Sequence, residues 1–201
     1  YKMGNINDIN ALAFSSNVYQ FKTAIRVGGG TYKYNQSLKI NEKAFDTYRN
    51  YFSQFGLGVN TGIELLNESR GYKGSNRDAG LLLDFAVGQY DTYTNIQLNQ
   101  YISTIAQDGK RYKMRLLKEV LENGEVVKSN ENEILNELSI DSKYINRVKK
   151  GLKAVMEEEN EQKFSDDCLV EKVQKLEGAV KDLSENEDGT ESKFTVGELA
   201  I

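Results

Sequence analysis

The chain has 201 residues, enough for one domain with a hydrophobic core, and its 28% charged and 39% hydrophobic residues are typical of a globular protein. Thirty acidic residues against 26 basic ones give a formal net charge of −4, so we expect no nucleic-acid partner. The absence of histidine excludes Ser-His-Asp and Cys-His catalysis and most zinc sites. Proline is absent as well, although a chain of this length ordinarily contains roughly ten.

The first thirty residues predict two helices joined by a polar turn. Ile6 to Phe14 is apolar along one side and stops at Ser15-Ser16-Asn17, residue types that favour helix caps and turns. A second helix follows and ends at the glycine run 28–30, which cannot continue it. Helical spacing places three residues on one of its faces: Val18, Phe21 and Ile25.

Two further helices are predicted before residue 107. The first ends at Gly56, because apolar and aromatic residues recur at helical spacing before it: Ala44, Phe45, Tyr48, Tyr51, Phe52 and Phe55. Residues 58–80 lack a regular period and are assigned to loops and short extended pieces. The second helix begins after Thr94, its predicted N-cap. Its buried stripe is predicted to consist of Leu98, Tyr101, Ile102 and Ile105.

The remaining residues predict strands and one more helix. Met114 to Leu121 is interpreted as a strand, and Asn123-Gly124 is the usual signal for a two-residue hairpin. An amphipathic helix is marked by Ile145, Val148, Leu152 and Val155. Residues 157–201 are acidic and weakly periodic, with possible strands at Cys168 to Val173 and Phe194 to Val196.

Three motifs for bound ions or cofactors are incomplete. The glycines 28–30 lack the Gly-Lys-Ser/Thr ending of a phosphate loop, and Gly56, Gly58 and Gly62 miss the dinucleotide-binding spacing. Residues 184–189 resemble the opening of a calcium loop, but Thr195 occupies the position that needs a bidentate carboxylate. We therefore expect neither a cofactor nor a metal ion.

Several segments, in this order and at plausible spacing, together resemble class B penicillin-binding proteins. The resemblance runs from about Asn5 to Met156, which is most of the chain. The combination of these segments is far more specific for the family than any single segment. The segments are Ala11-Leu-Ala-Phe-Ser-Ser-Asn-Val-Tyr19, Tyr51-Phe-Ser-Gln-Phe-Gly-Leu-Gly58, Thr61-Gly-Ile-Glu-Leu65, Asn67-Glu-Ser69, and Gly88-Gln-Tyr-Asp-Thr-Tyr-Thr94 followed by Ile96-Gln-Leu98.

The resemblance implies a transpeptidase with motifs of the Ser-x-x-Lys, Ser-x-Asn and Lys-Thr-Gly types. In such enzymes a serine attacks the carbonyl of a D-alanyl-D-alanine stem peptide, and β-lactams acylate the same serine. Ser15 and Asn17 match the middle motif as catalytic and substrate-binding residues. The hydroxyl of Ser15 would pass a proton between lysine ammonium groups and the leaving amine, and the amide of Asn17 would hold the substrate and orient the lysine base.

The sequence departs from the family pattern at both other motifs. No Ser-x-x-Lys precedes Ser15, so we expect this polypeptide by itself to be inactive. The nearest match to Lys-Thr-Gly is Lys175-Leu-Glu-Gly178, whose Glu177 would repel a substrate carboxylate. Where the family commonly has proline, this chain has Leu66, Asn95 and Met114.

The expected fold is α+β, with a helical subdomain that carries Ser15 and Asn17 and part of an antiparallel sheet. We expect residues 1–201 to be a single partial transpeptidase-like domain, of which 157–201 is a divergent acidic part. Its function would be part of a peptidoglycan D,D-transpeptidase whose serine motif lies upstream. Stem peptides and β-lactams would be its partners, at the extracytoplasmic face of a bacterial membrane reached through an upstream anchor.

Two other functions stay open at this point. One is a non-catalytic or engineered scaffold or binding module that keeps the fold without the chemistry. The other is an unrelated helical interaction domain.

Overall fold

The structure is a computed structural model that describes residues 4–162, with side chains as far as residue 157. It forms a compact unit that ends at Ala154 and a second that begins at Val155, of which only the end of the last helix is described. The strands predicted near residues 168 and 194, the Lys175–Gly178 motif and the calcium-like segment lie outside the described residues. The elements are α1 (Asp8–Ala13), α2 (Asn17–Val27), α3 (Lys43–Gln54), α4 (Ala79–Ala86), α5 (Asn95–Ala106), β1 (Lys110–Tyr112), β2 (Glu119–Glu122), β3 (Glu125–Ser129), β4 (Ile134–Glu137) and α6 (Ser142–Gln162).

Side chains cap the first backbone N–H groups of α1 and α5. The Asn7 side chain accepts a hydrogen bond of 2.9 Å from the backbone N–H of Asn10 at the start of α1. At α5 the Thr94 hydroxyl accepts from Gln97 N–H, and the Gln97 side chain accepts from Thr94 N–H at 3.1 Å. This capping box confirms Thr94 as the predicted N-cap.

The hydrophobic core lies where α2, α3 and α4 meet. Its buried members are Ala24, Ala44, Phe45, Leu82 and Phe85. The rings of Phe45 and Phe85 stack with their centroids 5.8 Å apart, and Phe52 meets Phe85 edge-on at 5.3 Å. Because Ala24 of α2 is fully buried against this cluster, the core holds α2 in place. Of the three apolar residues predicted to share a face of α2, Val18 is 61% exposed.

The stripe predicted for α5 is wrong at Leu98 and Ile102, which are 44% and 51% exposed. Ile105 is buried as predicted. The inward face of α5 is polar instead, and its buried side chains include Gln97, Gln100 and Thr104.

Backbone carbonyls in the neighbouring loops explain this inversion. The Gln97 side chain donates to Val59 O at 2.8 Å. That of Gln100 donates to Thr61 O at 3.0 Å and to Tyr112 O at 2.7 Å. These carbonyls need hydrogen-bond donors when they are buried, and an apolar side chain cannot supply one.

We predict that Ile105→Ala lowers the free energy of unfolding by about 2–5 kcal/mol, because it leaves a cavity beneath α5. The matched change Ile102→Ala, on the same helix, removes a side chain that is half exposed and should have a much smaller effect. Urea unfolding of both variants makes the comparison. A larger loss for Ile102→Ala would contradict the observed packing of α5.

The strands form two separate antiparallel pairs within the described residues, β1 with β4 and β2 with β3. The hairpin prediction is confirmed, since Asn123 and Gly124 both have positive φ, at 51° and 86°. The predicted strand from Met114 to Leu121 is wrong over its first part, because β2 begins only at Glu119. In that part Met114 N–H donates to Thr61 O, and Leu116 N–H donates to the Glu64 carboxylate.

The last described helix, α6, contains the predicted marker Ile145, which is buried, and Leu152, which is 38% exposed. The guanidinium of Arg147 donates to both carboxylate oxygens of Asp8, which holds the Asp8 pKa below its usual value. This pair ties α6 to the start of α1. None of the helices in the described part of the chain is long and apolar enough to cross a membrane.

Candidate active site

The turn between α1 and α2 has a defined backbone geometry. Ser15 N–H donates to Leu12 O at 3.1 Å, and Ser16 N–H donates to Ala11 O at 2.8 Å. This is the Schellman pattern that closes many helices, and it requires a left-handed residue just past the helix end. Ser15 takes that conformation, with φ of 50°.

The other ends of α2 to α5 have the same hydrogen-bond pattern but a different residue at the left-handed position. That residue is Gly29 after α2, Gly56 after α3, Gly88 after α4 and Asp108 after α5. Glycine adopts positive φ without steric cost, and aspartate is enriched there, whereas for other L-residues the conformation costs about 1–2 kcal/mol. Ser15 is therefore the least suited residue among these five turns.

Helix capping does not account for the side chains of this turn. Ser16 occupies the N-cap position of α2, but its side chain makes no capping hydrogen bond. Asn17 is the first helical residue, one position past the cap. Among the described residues the side chains of Ser15 and Asn17 are exposed and have no hydrogen-bond partner. The cap interpretation therefore lacks the contact that it requires.

The turn opens into a cleft of about 710 Å³, which both Ser15 and Asn17 line. A cleft of this size can hold a small ligand or a short peptide. The segment 4–6 forms one side, and successive turns of α2 form the other. The α2 side chains that line it are Val18, Tyr19, Lys22, Thr23 and Arg26.

Lys22 and Arg26 are the residues of this cleft that the sequence analysis did not single out. They lie four positions apart, so they share a side of α2. Spacing along the predicted helix does not link them to Asn17, because they follow it by five and nine positions rather than by the three or four that share a helix face, so the structure was needed to find them. With two cations and no acidic residue in its lining, the cleft favours an anionic ligand.

The glycine run after α2 is a helix end, as predicted. The N–H groups of Gly28, Gly29 and Gly30 donate to Ala24 O, Arg26 O and Ile25 O, so all three amides are committed to the helix rather than available to a phosphate. At the turn between α1 and α2, the Ser15 side chain supplies a hydroxyl and the Asn17 side chain supplies an amide. Both groups can donate and accept hydrogen bonds.

The chain is similar to proteins of a known family. Residues 2–172 match the family model described as the penicillin binding protein transpeptidase domain. Penicillin-binding protein 2A of Bacillus subtilis (strain 168) is 54% identical over 159 residues, which are 76% of this chain and 22% of that protein. Penicillin-binding protein H of the same organism is 41% identical over 160 residues, 76% of this chain and 23% of its own length.

A solved structure is similar as well. Penicillin-binding protein 2B from Streptococcus pneumoniae (strain R6) matches with a TM-score of 0.67 and 31% sequence identity, over 73% of this chain and 25% of that one. The predicted α+β fold and the predicted family are thereby confirmed. This chain spans about a quarter of the length of the relatives it matches. It belongs to the penicillin-binding protein family, as part of a class B transpeptidase domain.

Proposed function

We propose that this chain supplies the Ser-x-Asn part of the active site of a peptidoglycan D,D-transpeptidase, with Ser15 as proton carrier and Asn17 as substrate-holding amide. The substrates would be peptidoglycan stem peptides, and β-lactams would react at the same centre. The working location would be the extracytoplasmic face of a bacterial membrane. Family membership supports each of these assignments.

The observation that carries the proposal is the exposed hydroxyl of Ser15 on a left-handed backbone. The four comparable turns have glycine or aspartate at that position. A serine in this conformation costs stability, and its side chain makes no hydrogen bond with a described residue that would offset this cost. A role for its hydroxyl in a ligand-sized cleft would explain why a serine occupies this position.

The proposed chemistry uses the hydroxyl as a relay. A serine nucleophile, from a Ser-x-x-Lys motif outside residues 1–201, passes its proton to a lysine base and attacks the substrate carbonyl, and the C–N bond breaks. Ser15 gives its proton to the departing nitrogen and receives one from a lysine ammonium group, so its own protonation is restored. Asn17 holds the substrate amide through its side-chain oxygen and nitrogen.

Lys22 and Arg26 extend this proposal along α2. Their charges line the same cleft as Asn17, so they would attract the carboxylate of a bound stem peptide.

We also propose that residues 1–201 form a single partial domain with 157–201 as its divergent part. The alternative function is a non-catalytic scaffold, in which the side chains of Ser15 and Asn17 would have no catalytic role.

The test uses Penicillin-binding protein 2A of Bacillus subtilis with its 159-residue matching segment replaced by that of this chain. In this chimera Asn17→Ser should slow acylation by a fluorescent penicillin about tenfold, because a hydroxyl lacks the reach and the second polar atom of the amide. The matched control is Asn95→Ser. Asn95 is likewise exposed and is the first residue of its helix, α5.

Rates are compared at equal folded fractions, measured by circular dichroism. A slower rate for Asn17→Ser alone supports the active-site assignment. Equal rates for Asn17→Ser and the unmodified chimera would favour the scaffold.

A further inference from the structure

A second cleft, of about 410 Å³, lies between the later part of α3 and the segments 70–73 and 91–93. It shares no lining residue with the Ser15 cleft. Its volume falls within the range of small-ligand sites.

The wall of this cleft is fixed by the backbone. Tyr72 N–H donates to Thr92 O at 3.0 Å, and Thr92 N–H donates to Tyr72 O at 2.9 Å. Gly71 makes this approach possible, since a Cβ atom on it would lie 2.1 Å from Thr92 O. The cleft is therefore preformed, which lowers the entropy lost on binding.

A buried ion pair forms the floor. The Arg49 guanidinium donates to both oxygens of Asp91 at 2.8 Å and to Gly74 O at 2.8 Å. Asp91 also accepts from Gly74 N–H at 2.9 Å. The two charges cancel, and Arg49 Nε, Arg49 Nη2 and both Asp91 oxygens are bonded to one another or to Gly74, so the floor adds little net charge to the cleft.

The rim carries two cations with unused donors. Arg70 is exposed, and its Nε donates to the Asn60 side chain at 2.7 Å, which leaves the terminal nitrogens of its guanidinium without a partner among the described residues. Lys73 is exposed and has neither an ion pair nor a hydrogen bond with any described residue. Counting Arg49, Arg70, Lys73 and Asp91, the lining carries a formal charge of +2 in a chain whose net charge is −4.

We infer that this cleft binds a carboxylate carried by a short peptide, with Arg70 and Lys73 holding the carboxylate and the aromatic walls contacting the peptide. Because Asn60 orients the Arg70 guanidinium through Nε, its terminal nitrogens present the two donors that a carboxylate accepts side by side. Phe52, Tyr72 and Tyr93 provide the apolar surface of the lining.

The charge distribution favours a peptide over a phosphate polymer. Polymers of phosphodiesters bind along extended basic surfaces that neutralise many charges. This cleft offers two exposed cations in an acidic chain. The inference does not depend on Ser15 or Asn17, so failure of the transpeptidase proposal would leave it intact.

The test measures fluorescence anisotropy of a fluorescein-labelled Glu-Ala-Glu peptide with the full 201-residue chain at low salt. Lys73→Gln and Arg70→Gln should each weaken binding about tenfold, because each removes a charge-assisted hydrogen bond. Lys128→Gln is the control. It removes the same charge from an exposed position on β3 and should change binding less than about twofold.

Two further measurements keep the outcome clear. Arg70→Lys keeps the positive charge but loses the two side-by-side donors of the guanidinium, so its affinity should fall between those of Arg70→Gln and the unmodified chain. A Gln-Ala-Gln probe should bind at least about tenfold more weakly than Glu-Ala-Glu. Equal binding of the two probes, or unchanged affinity in both glutamine variants, would overturn the inference. Stronger competition by inorganic phosphate than by acetate would assign the cleft to phosphate instead.

Discussion

Asp91→Ala is expected to lower the free energy of unfolding by about 3–5 kcal/mol, because it leaves the Arg49 charge in a largely buried position without its partner. The side chains of Arg49 and Asp91 are 13% and 5% exposed. Arg49 also lies over the rings of Phe45 and Phe85, at 5.7 Å and 5.3 Å. These rings exclude water from that side of the guanidinium, so water entering from the second cleft can only partly replace the lost carboxylate.

The matched control for this prediction is Asp46→Ala, which breaks the pair between Asp46 and Arg77. That pair has equally short contacts, with both hydrogen bonds at 2.7 Å, but Asp46 is 48% exposed. Solvent screens such a pair, so we expect little change in stability. Urea unfolding of the two variants shows whether burial or the hydrogen-bond geometry of the ion pair determines the loss of stability. Similar losses at Asp91 and Asp46 would contradict the role assigned to burial.

The double variant Arg49→Met with Asp91→Ala separates two causes of the loss. Removing both charges should recover much of the stability, because no uncompensated ion then remains in the core. If the double variant is as unstable as Asp91→Ala, the loss would instead reflect the hydrogen bond from Gly74 to Asp91.

Local signals in the sequence predicted five of the six helices in the described part of the chain, and α4 was missed. The end of α2 followed from the glycine run 28–30, the end of α3 from Gly56 and the start of α5 from Thr94, because caps and left-handed turns depend on residues close in the chain. The hairpin at Asn123 was predictable for the same reason. In these segments the local preference and the final structure agree.

Contacts between distant segments account for the errors. The buried face of α5 is decided by carbonyls at residues 59, 61 and 112, and periodicity within the helix cannot reveal them. The pairing of β1 with β4 joins residues about two dozen positions apart, and neither strand was predicted. The surface of Leu98 and Ile102 is consequently exposed where the apolar spacing predicted burial.

The candidate site was only half predictable. Ser15 and Asn17 were identified from the motif between two helices, and the resemblance supplied their roles. The left-handed backbone of Ser15 and the cations of α2 in the same cleft required the structure, because both depend on how α1 and α2 are joined.

The direct test of the account is the effect of Ser15→Gly on the acylation rate and on stability together, measured in the chimera with Penicillin-binding protein 2A. Glycine suits φ of 50°, so the free energy of unfolding should stay unchanged or rise by up to about 1 kcal/mol. The rate of acylation by penicillin should fall about 100-fold, because the change removes the proposed proton carrier.

The matched control is Asn35→Gly. Asn35 has φ of 55°, is exposed and lies outside the lining of the Ser15 cleft, so its replacement tests the backbone effect alone. We expect Asn35→Gly to leave the acylation rate unchanged, whereas Ser15→Gly should lower that rate about 100-fold without loss of stability. A Ser15→Gly chimera that is acylated as fast as the unmodified one would contradict the role of Ser15 in the active site.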